Sequence, residues 1–240
     1  MLSAQLLDKL GQRNGHYVAP NYSVILDRMI RISQSTAPFT SSPSQYRRFL
    51  EHTDHEELKS KKLKSFMKEA QKIIDIQFDI HTLLKFAKSQ TAKAQSNPKS
   101  VIYLHILYDQ TRHSINIYVG QALAIKKRIT QRSNCLAAAR LNRKGRKWTK
   151  ETKSKHIKFW KSPGVVDFWL IINEFNRAAY KSNGGDEDKH RKTATDCSRL
   201  LSFAELYAMH LFRTLTTAIL RAYLPRNTNI SPYPWAGLNV

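Results

Sequence analysis

Two tyrosines and two arginines are the side chains of this sequence best placed for chemistry on a phosphate group. Tyr103 lies in the apolar run VIYLHIL and Tyr118 in the run INIYV, and Arg128 and Arg132 follow soon after Gly120. A guanidinium group matches phosphate oxygens with two parallel hydrogen bonds. A phenol has a pKa of about 10, so it takes part in proton transfer at neutral pH only where nearby cations favour the phenolate. Side chains of these types are able to bind and act on a phosphate group, provided that the fold brings them together.

Both tyrosines fall in segments that are typical of β-strands joined by a hairpin. Residues 101–107 and 115–119 are rich in β-branched residues, and the polar connection YDQTRHS separates them. Side chains of a strand alternate between faces, which puts Tyr103 and His105 on one face of the hairpin together with Tyr118. His105 could assist proton transfer or merely cap the sheet. The opposite face collects the aliphatic residues Ile102, Leu104, Ile106, Ile115, Ile117 and Val119.

A helix from about Ala122 to Leu141 is predicted to carry the two arginines. Arg128 and Arg132 are one turn apart and share a face of that helix. The apolar positions expected to face inward are Ile125, Ile129 and Leu136. The alternative interpretation is that the arginines are exposed helix cations and the tyrosines are core aromatics.

Two more elements are predicted further along the chain. Residues 165–173, VVDFWLIIN, form a near-continuous apolar run that indicates a central strand. After a polar loop, residues 200–224 are expected to form one long helix that contains Glu205 and ends before Pro225. The tail beyond Pro225 is expected to be irregular.

The composition indicates a basic globular protein with a polyanionic partner. The chain has 240 residues, and 40 Lys and Arg against 18 Asp and Glu give a formal net charge of +22. Nucleic acid is the first partner that this charge indicates, and an anionic membrane surface is the second. No apolar run approaches the roughly 20 residues of a membrane span, and two cysteines are too few for a disulfide framework. We therefore expect a soluble intracellular protein, nuclear or cytoplasmic, with a mitochondrial location left open and no indication of oligomeric state.

A basic stretch at residues 139–164 interrupts the apolar elements of the second part. Lysines and arginines alternate there with Trp148, Phe159 and Trp160. Cations can meet phosphates and aromatic rings can stack on bases, whereas the alternative is a solvated insertion whose aromatics hold it to the core. The residues that we expect to bind nucleic acid are Arg140, Arg143, Lys144, Arg146, Lys147, Trp148 and Lys150.

The chain is expected to divide into two parts. Residues 88–100, KSQTAKAQSNPKS, have no apolar periodicity and contain Pro98, which indicates a linker. Residues 1–97 are then a helical, basic N-terminal region, and residues 98–240 are a second domain that contains the insertion. The histidines of the first part show no metal-ligand spacing, so this region is interpreted as a support or as a nucleic-acid-binding arm.

The second part resembles the GIY-YIG nuclease family. Its first motif corresponds to residues 101–103 (VIY) and its second to residues 118–120 (YVG). The family arginine follows the second-motif glycine by eight residues and falls on Arg128, and Arg132 stands where the family has a histidine or a similar residue. The family's metal-binding glutamate lies on a helix after the third strand, and Glu205 is the best match. The resemblance implies an α+β fold with a three-stranded antiparallel sheet flanked by helices, here preceded by the helical N-terminal region.

The same resemblance implies a metal-dependent DNA endonuclease. Glu205 would bind Mg²⁺ or Mn²⁺, Arg128 would bind the phosphate oxygens, Tyr103 would act as or assist the general base, and Tyr118 would orient it. Glu174 is the rival metal ligand, and Glu205 could instead simply favour the positive end of its helix. The family's late asparagine has no clean counterpart; Asn227 is preferred weakly over two later asparagines, Asn229 and Asn239.

The sequence departs from the family pattern in three places, and two of them, Val101 and the missing late asparagine, keep other functions open. Val101 replaces the first glycine of the first motif, and 14 residues separate the two motifs, a few more than the family usually has. A protein that keeps the fold but only binds nucleic acid is the first alternative. A structural basic protein of an RNA-rich assembly is the second, and it predicts that Tyr103, Tyr118, Arg128 and Glu205 do not cluster.

Overall fold

The fold is α+β, as the sequence predicts. A computed structural model describes residues 22–34, 50–51, 53–58, 63, 73, 80–141, 154–175, 187–224 and 235–239. No helix within these ranges is long and apolar enough to cross a membrane. The helices are α1 (Tyr22–Gln34), α2 (His55–Glu57), α3 (Ile80–Ser96), α4 (Ile125–Leu141), α5 (Lys155–Trp160), α6 (Glu187–Leu211) and α7 (Thr217–Tyr223), and the strands are β1 (Ser100–Asp109), β2 (Ser114–Ala122), β3 (Val165–Phe175) and β4 (Trp235–Gly237).

One four-stranded mixed sheet stands at the centre, with the strand order β3-β1-β2-β4. β1 pairs antiparallel with both β2 and β3, whereas β4 pairs parallel with β2. The expected three-stranded antiparallel sheet is therefore wrong in its strand number. The difference arises because part of the tail, expected to be irregular, supplies β4 to the outer edge of β2, where backbone N–H and C=O groups would otherwise lack partners.

The β1–β2 hairpin has the faces that alternation predicts. Its turn is held by Asp109, whose carboxylate accepts hydrogen bonds from the backbone N–H groups of Thr111 and Arg112 at 2.9 and 3.0 Å. The register places Tyr103 opposite Gly120. The aliphatic face joins α1 and α6 in one apolar cluster, and the face that carries Tyr103 joins α4 and α5 in a second. The tyrosine face is therefore covered by helices, and Tyr103 is part of a core.

The predicted linker over residues 88–100 is wrong, because α3 occupies most of it. The helix continues to Ser96, through most of residues 88–100, and buries Ala87 and Ala94. Its Thr91 hydroxyl accepts a hydrogen bond from the backbone N–H of Trp169 on the outer edge of β3, at 3.0 Å. The predicted boundary between residues 97 and 98 falls in the short connection from α3 to β1. Residues on both sides of it, from α1 and from the sheet, belong to the same apolar cluster.

The predicted helix over residues 200–224 is two helices. α6 begins earlier, at Glu187, and ends at Leu211, and Arg213 adopts a left-handed conformation with a φ of 52°. The hydroxyl of Thr216 then accepts from the backbone N–H of Ile219 and caps the start of α7. Glu205 consequently lies near the C-terminal end of α6. The alternative that it favours the positive N-terminal end of its helix is wrong.

Candidate active site

Tyr103 lies flat across a gap that the glycine opposite it leaves open. A Cβ atom on Gly120 would lie 2.5 Å from both Cζ and Oη of Tyr103 and 2.8 Å from Cε1 of Tyr118. Contacts that short do not occur, so any other residue at position 120 would displace a ring. The tyrosine is 1% exposed and packs against Trp169 with ring centroids 5.2 Å apart. The Tyr-x-Gly spacing therefore has a steric reason in this fold.

Tyr118 is the tyrosine that remains partly open to solvent. Its ring centroid is 6.5 Å from that of Tyr103. Nη2 of Arg132 donates to its hydroxyl at 3.4 Å, and the guanidinium carbon lies 5.5 Å from the ring centroid, within range of a cation–π interaction. Arg132 is itself buried, and its Nε has no hydrogen-bond partner among the described residues. The fold thus holds a partly unsatisfied guanidinium beside a phenol.

Glu205 reaches the same region from α6. The backbone N–H and the side-chain amide of Gln121 on β2 act on its carboxylate, and the same amide donates to Oγ of Ser202 at 3.0 Å. Burial raises the pKa of Glu205 to about 7, although Gln121, Arg128 and Arg132 all act in the opposite direction. The result is a carboxylate that is only partly ionised at neutral pH and whose negative charge is incompletely balanced.

The two arginines and Glu205 also affect the pKa values of the two tyrosines. Burial raises the pKa of Tyr103 above its ordinary value, and Arg128 and Arg132 lower it by less. Burial likewise raises the pKa of Tyr118, against the opposing effect of the same two arginines, while Glu205 adds to the rise for both phenols. Five predicted residues from β1, β2, α4 and α6 therefore influence one another's pKa values. The condition that nearby cations favour a phenolate is not met, because burial outweighs them.

The other predicted residues lie elsewhere or outside the described ranges. His105 is on the tyrosine face, and it is buried against His156 and Asp167. Glu174, the rival metal ligand, accepts from Nδ2 of Asn97 and Nζ of Lys99, both at 2.6 Å. These two bonds make Glu174 part of an ion-paired cluster at the end of β3.

Of the three candidates for the family's late asparagine, one lies within the described residues. Asn227 and Asn229 lie outside the described residues. The buried amide of Asn239 donates to the backbone C=O of Val119 at 2.7 Å and accepts from its N–H at 2.8 Å. This side chain extends the pairing of the β2 edge just beyond β4, so its polar atoms serve the sheet.

The basic stretch is described only at its two ends. Arg140 lies near the end of α4, and the other six expected nucleic-acid-binding residues fall outside the described residues: Arg143, Lys144, Arg146, Lys147, Trp148 and Lys150. At the other end, α5 buries Ile157 and Trp160 in the cluster on the tyrosine face. For Trp160, the interpretation as an aromatic that holds the stretch to the core is the one the structure supports.

Three residues of the site region were missed by sequence reasoning: Gln121, His156 and Asp167. Gln121 directly follows the Tyr-x-Gly motif, and that position is the only signal it gives. His156 and Asp167 belong to segments that were interpreted as a basic stretch and an apolar strand. Their importance comes from long-range contacts that local patterns do not contain.

Comparison with known proteins found no relative. A scan against protein-family models, a search of curated proteins and a search of solved structures each gave no match. The relation to GIY-YIG nucleases therefore rests on the ordered residues and their geometry, and it remains a proposal.

Proposed function

We propose that this protein is a metal-dependent endonuclease of GIY-YIG type that hydrolyses phosphodiester bonds in DNA. The observation that carries the proposal is the convergence of Tyr103, Tyr118, Arg128, Arg132 and Glu205, whose charges and phenols affect one another's pKa values. These residues span about a hundred positions of the chain and were selected by motif order alone. The RNA-assembly alternative expected these side chains to be dispersed, so the clustering argues against it.

The two arginines supply the charge stabilisation that phosphodiester hydrolysis requires. Both lower the pKa values of Tyr103, Tyr118 and Glu205, so their positive field reaches the centre of the cluster. Arg128 is partly exposed and could bind a phosphate from solvent, while Arg132 is buried beside the Tyr118 hydroxyl. Such charges act strongly where water is excluded, because the local dielectric constant is low.

The phenols act in the protonated form. Their pKa values are raised by burial, so at neutral pH each keeps its proton, is able to donate a hydrogen bond and does not provide a phenolate. Tyr118 is the partly exposed one and can orient a water molecule or a phosphate oxygen. Tyr103, enclosed between Gly120 and Trp169, supports it from within the sheet.

Glu205 fits the role of a ligand for Mg²⁺ or Mn²⁺. These hard cations are commonly held by one or two carboxylates, with water and substrate phosphate completing the shell. Within the described ranges, no three His, Cys, Asp or Glu side chains are grouped so that they could hold a metal ion. Glu205 would therefore bind the ion together with water and a substrate phosphate. A carboxylate whose pKa is raised by burial lacks a full counter-charge, which a bound cation would provide. When bound, the metal would polarise the phosphate and stabilise the leaving oxygen.

The surface near the arginines suits a DNA backbone. Exposed lysines follow the start of α4 at positions 126 and 127, and α5 adds Lys155 and Lys158. The whole chain has a formal charge of +22, so its binding to DNA should weaken steeply as the salt concentration rises. Protein binding releases counterions from DNA, and added salt opposes that release.

A protein that binds DNA without cutting it is the second candidate. Two observations favour it: Tyr103 is only 1% exposed, and Val101 stands in place of the first-motif glycine. Salt-sensitive binding with no metal-dependent cleavage would select this candidate over the nuclease.

A plasmid-nicking assay decides between the two. Purified protein should convert supercoiled DNA to the open circle with Mg²⁺ or Mn²⁺, and Arg128→Ala should slow nicking by roughly 100-fold, as expected for the loss of one charge-stabilising group. Arg112→Ala is the matched control, because Arg112 is exposed at the hairpin turn and pairs with Asp109.

The glutamates provide a second matched pair for the same assay. Glu205→Ala should abolish nicking, whereas Glu174→Ala, which removes the carboxylate bound to Lys99, should leave it within a few-fold. Equal nicking by the wild type, Arg128→Ala and Glu205→Ala would refute the nuclease.

A further inference from the structure

A chain of three polar side chains, two of them buried and the third partly exposed, runs behind Tyr118. Nδ1 of His105 lies 2.6 Å from Nε2 of His156, and Nε2 of His105 lies 3.2 Å from Oδ2 of Asp167. His105 is fully buried and His156 is 2% exposed. Polar side chains in an apolar core cost stability unless they are hydrogen-bonded, so such a network calls for a physical reason.

The hydrogen-bond donors of the chain follow from the state of its carboxylate. Burial acts to raise the pKa of Asp167, but hydrogen bonds from His105, Trp169 and Trp160 hold it below its usual value, so the group is ionised. Nε2 of His105 must therefore donate, and in a neutral ring its Nδ1 must accept. Nε2 of His156 is then the donor to His105. Nδ1 of His156 is left without a proton, and it has no hydrogen-bond partner among the described residues.

The end of this chain lies flat against Tyr118. The rings of His156 and Tyr118 are nearly parallel, at 13°, with centroids 4.4 Å apart. On the hydroxyl side, Tyr118 is held by Arg132. We propose that Asp167, His105 and His156 form a positioning chain that fixes the ring of Tyr118 for the reaction, each residue holding the next. The inference rests on the proposed function, since it assigns these residues to the same site.

Geometry favours positioning over direct proton transfer. The nitrogens of His156 lie in the plane of its own ring, and that plane is parallel to the Tyr118 ring, so neither nitrogen points at the phenol. His156 is also almost fully buried, with Tyr118 the more exposed of the two. A substrate would therefore meet Tyr118 and not His156, and the histidine acts through the tyrosine.

Three further contacts stiffen the chain. His105 stacks on Trp169 with centroids 3.9 Å apart, and the indole Nε1 of Trp169 donates to Asp167 at 2.9 Å. Trp160, one turn after His156 on α5, packs edge-on against His105 at 4.5 Å. Each ring of the chain is thus held by a hydrogen bond and by an aromatic neighbour, which is the support that a precisely placed side chain needs.

The charges around the chain are compatible with neutral imidazoles. Arg132 faces His156 from α4, Asp167 faces His105 from β3, and the lysines of α5 itself, Lys155 and Lys158, are exposed. Burial lowers the pKa of His156 well below its usual value, and His105 and Arg132 lower it further.

Two substitutions of His156 in the full-length chain test the positioning chain through nicking kinetics. His156→Phe keeps a flat ring against Tyr118, whereas His156→Ala removes it. We expect His156→Ala to lower kcat by roughly 100-fold with KM for DNA unchanged, since small misplacements of a reacting group cost about that much. His156→Phe keeps the ring but loses the hydrogen bond to His105, so it should recover only part of kcat. Equal losses of kcat in both variants would overturn the proposal and point to His156 as a proton acceptor.

Nuclear magnetic resonance provides readouts that do not need activity. In protein labelled with ¹⁵N-histidine at pH 7, long-range correlations should show His105 and His156 protonated at Nε2 only. The ring protons of Tyr118, shielded by the stacked imidazole, should shift in His156→Ala and stay near their wild-type position in His156→Phe. A proton on Nδ1 of His156 would overturn the positioning chain. So would Tyr118 ring-proton shifts that are the same in His156→Ala and in the wild type. A wild-type protein that does not nick DNA would overturn the proposed function alone, because these spectra still test the chain.

Discussion

Replacing Glu205 by glutamine should make the protein more stable at alkaline pH while removing the proposed nuclease activity. The carboxyl group is mostly buried, and its pKa is raised from 4.5 to about 7. Between these two values the folded protein keeps a proton that the unfolded chain has released. The free energy of unfolding therefore falls as pH rises from about 4.5 to about 7. Glutamine has the same shape and no charge, and its carbonyl can still interact with the Gln121 N–H.

The magnitude follows from the size of the pKa change. At about 1.4 kcal/mol for each tenfold change in the acidity constant, moving the pKa from 4.5 to about 7 corresponds to about 3 kcal/mol. We expect Glu205→Gln to raise the free energy of unfolding by up to about 3 kcal/mol at pH 8 and by nearly nothing at pH 4. Urea unfolding at both pH values measures the difference directly.

Glu174→Gln is the control, and it should have the opposite sign. Hydrogen bonding from Lys99 holds the pKa of Glu174 below its usual value. Its ionised form therefore stabilises the fold above the unfolded pKa, and that contribution is lost as pH falls through the folded value. Removing it should lower stability at pH 8. The reasoning about Glu205 fails if Glu205→Gln unfolds at pH 8 at the same urea concentration as the wild type, or at a lower one. In that case the buried charge of Glu205 does not destabilise the folded protein.

Two smaller predictions concern the backbone around the site. Gly120→Ala should cost about 1–3 kcal/mol of stability and much of the nicking activity, because the new methyl group overlaps the Tyr103 ring; thermal unfolding and the plasmid assay check both. Thr91→Val should cost about 1–3 kcal/mol by leaving the Trp169 N–H unsatisfied, measured by urea unfolding. Thr130→Val is the comparison, since that exposed hydroxyl donates to the backbone C=O of Lys126 within its own helix, and an equal loss in both variants would count against the edge contact.

The parts of the fold that sequence predicted are those governed by local periodicity. A strand alternates faces at every residue, so the separation of Ile102 from Tyr103 needed no knowledge of the rest of the chain. The arginine helix was predicted for the same reason, from its apolar spacing. What could not be predicted was that both faces of the hairpin are covered, because α5, which completes the cover of the second face, comes from the basic stretch further along the chain.

The errors arose where the signal was weak or long-range. The end of α3 buries alanines, Ala87 and Ala94, whose small side chains give little periodicity among lysines and serines, and Pro98 favoured a linker. β4 has three residues and no pattern of its own; it exists because the edge of β2 offers unpaired backbone groups. The contact of His156 with His105 joins residues 51 positions apart, which no local pattern encodes.

The way the β2 edge is closed has a consequence for how the protein is made. β4 pairs with the first part of β2, Asn239 bonds to Val119, and Glu205 lies beside Gln121. Groups from the C-terminal third of the chain therefore complete the strand that carries Tyr118. During synthesis, the β1–β2 hairpin leaves the ribosome about a hundred residues before these partners. Local contacts form early and distant ones late. A nascent chain would therefore hold both tyrosines long before Glu205 and β4 could complete the edge of β2.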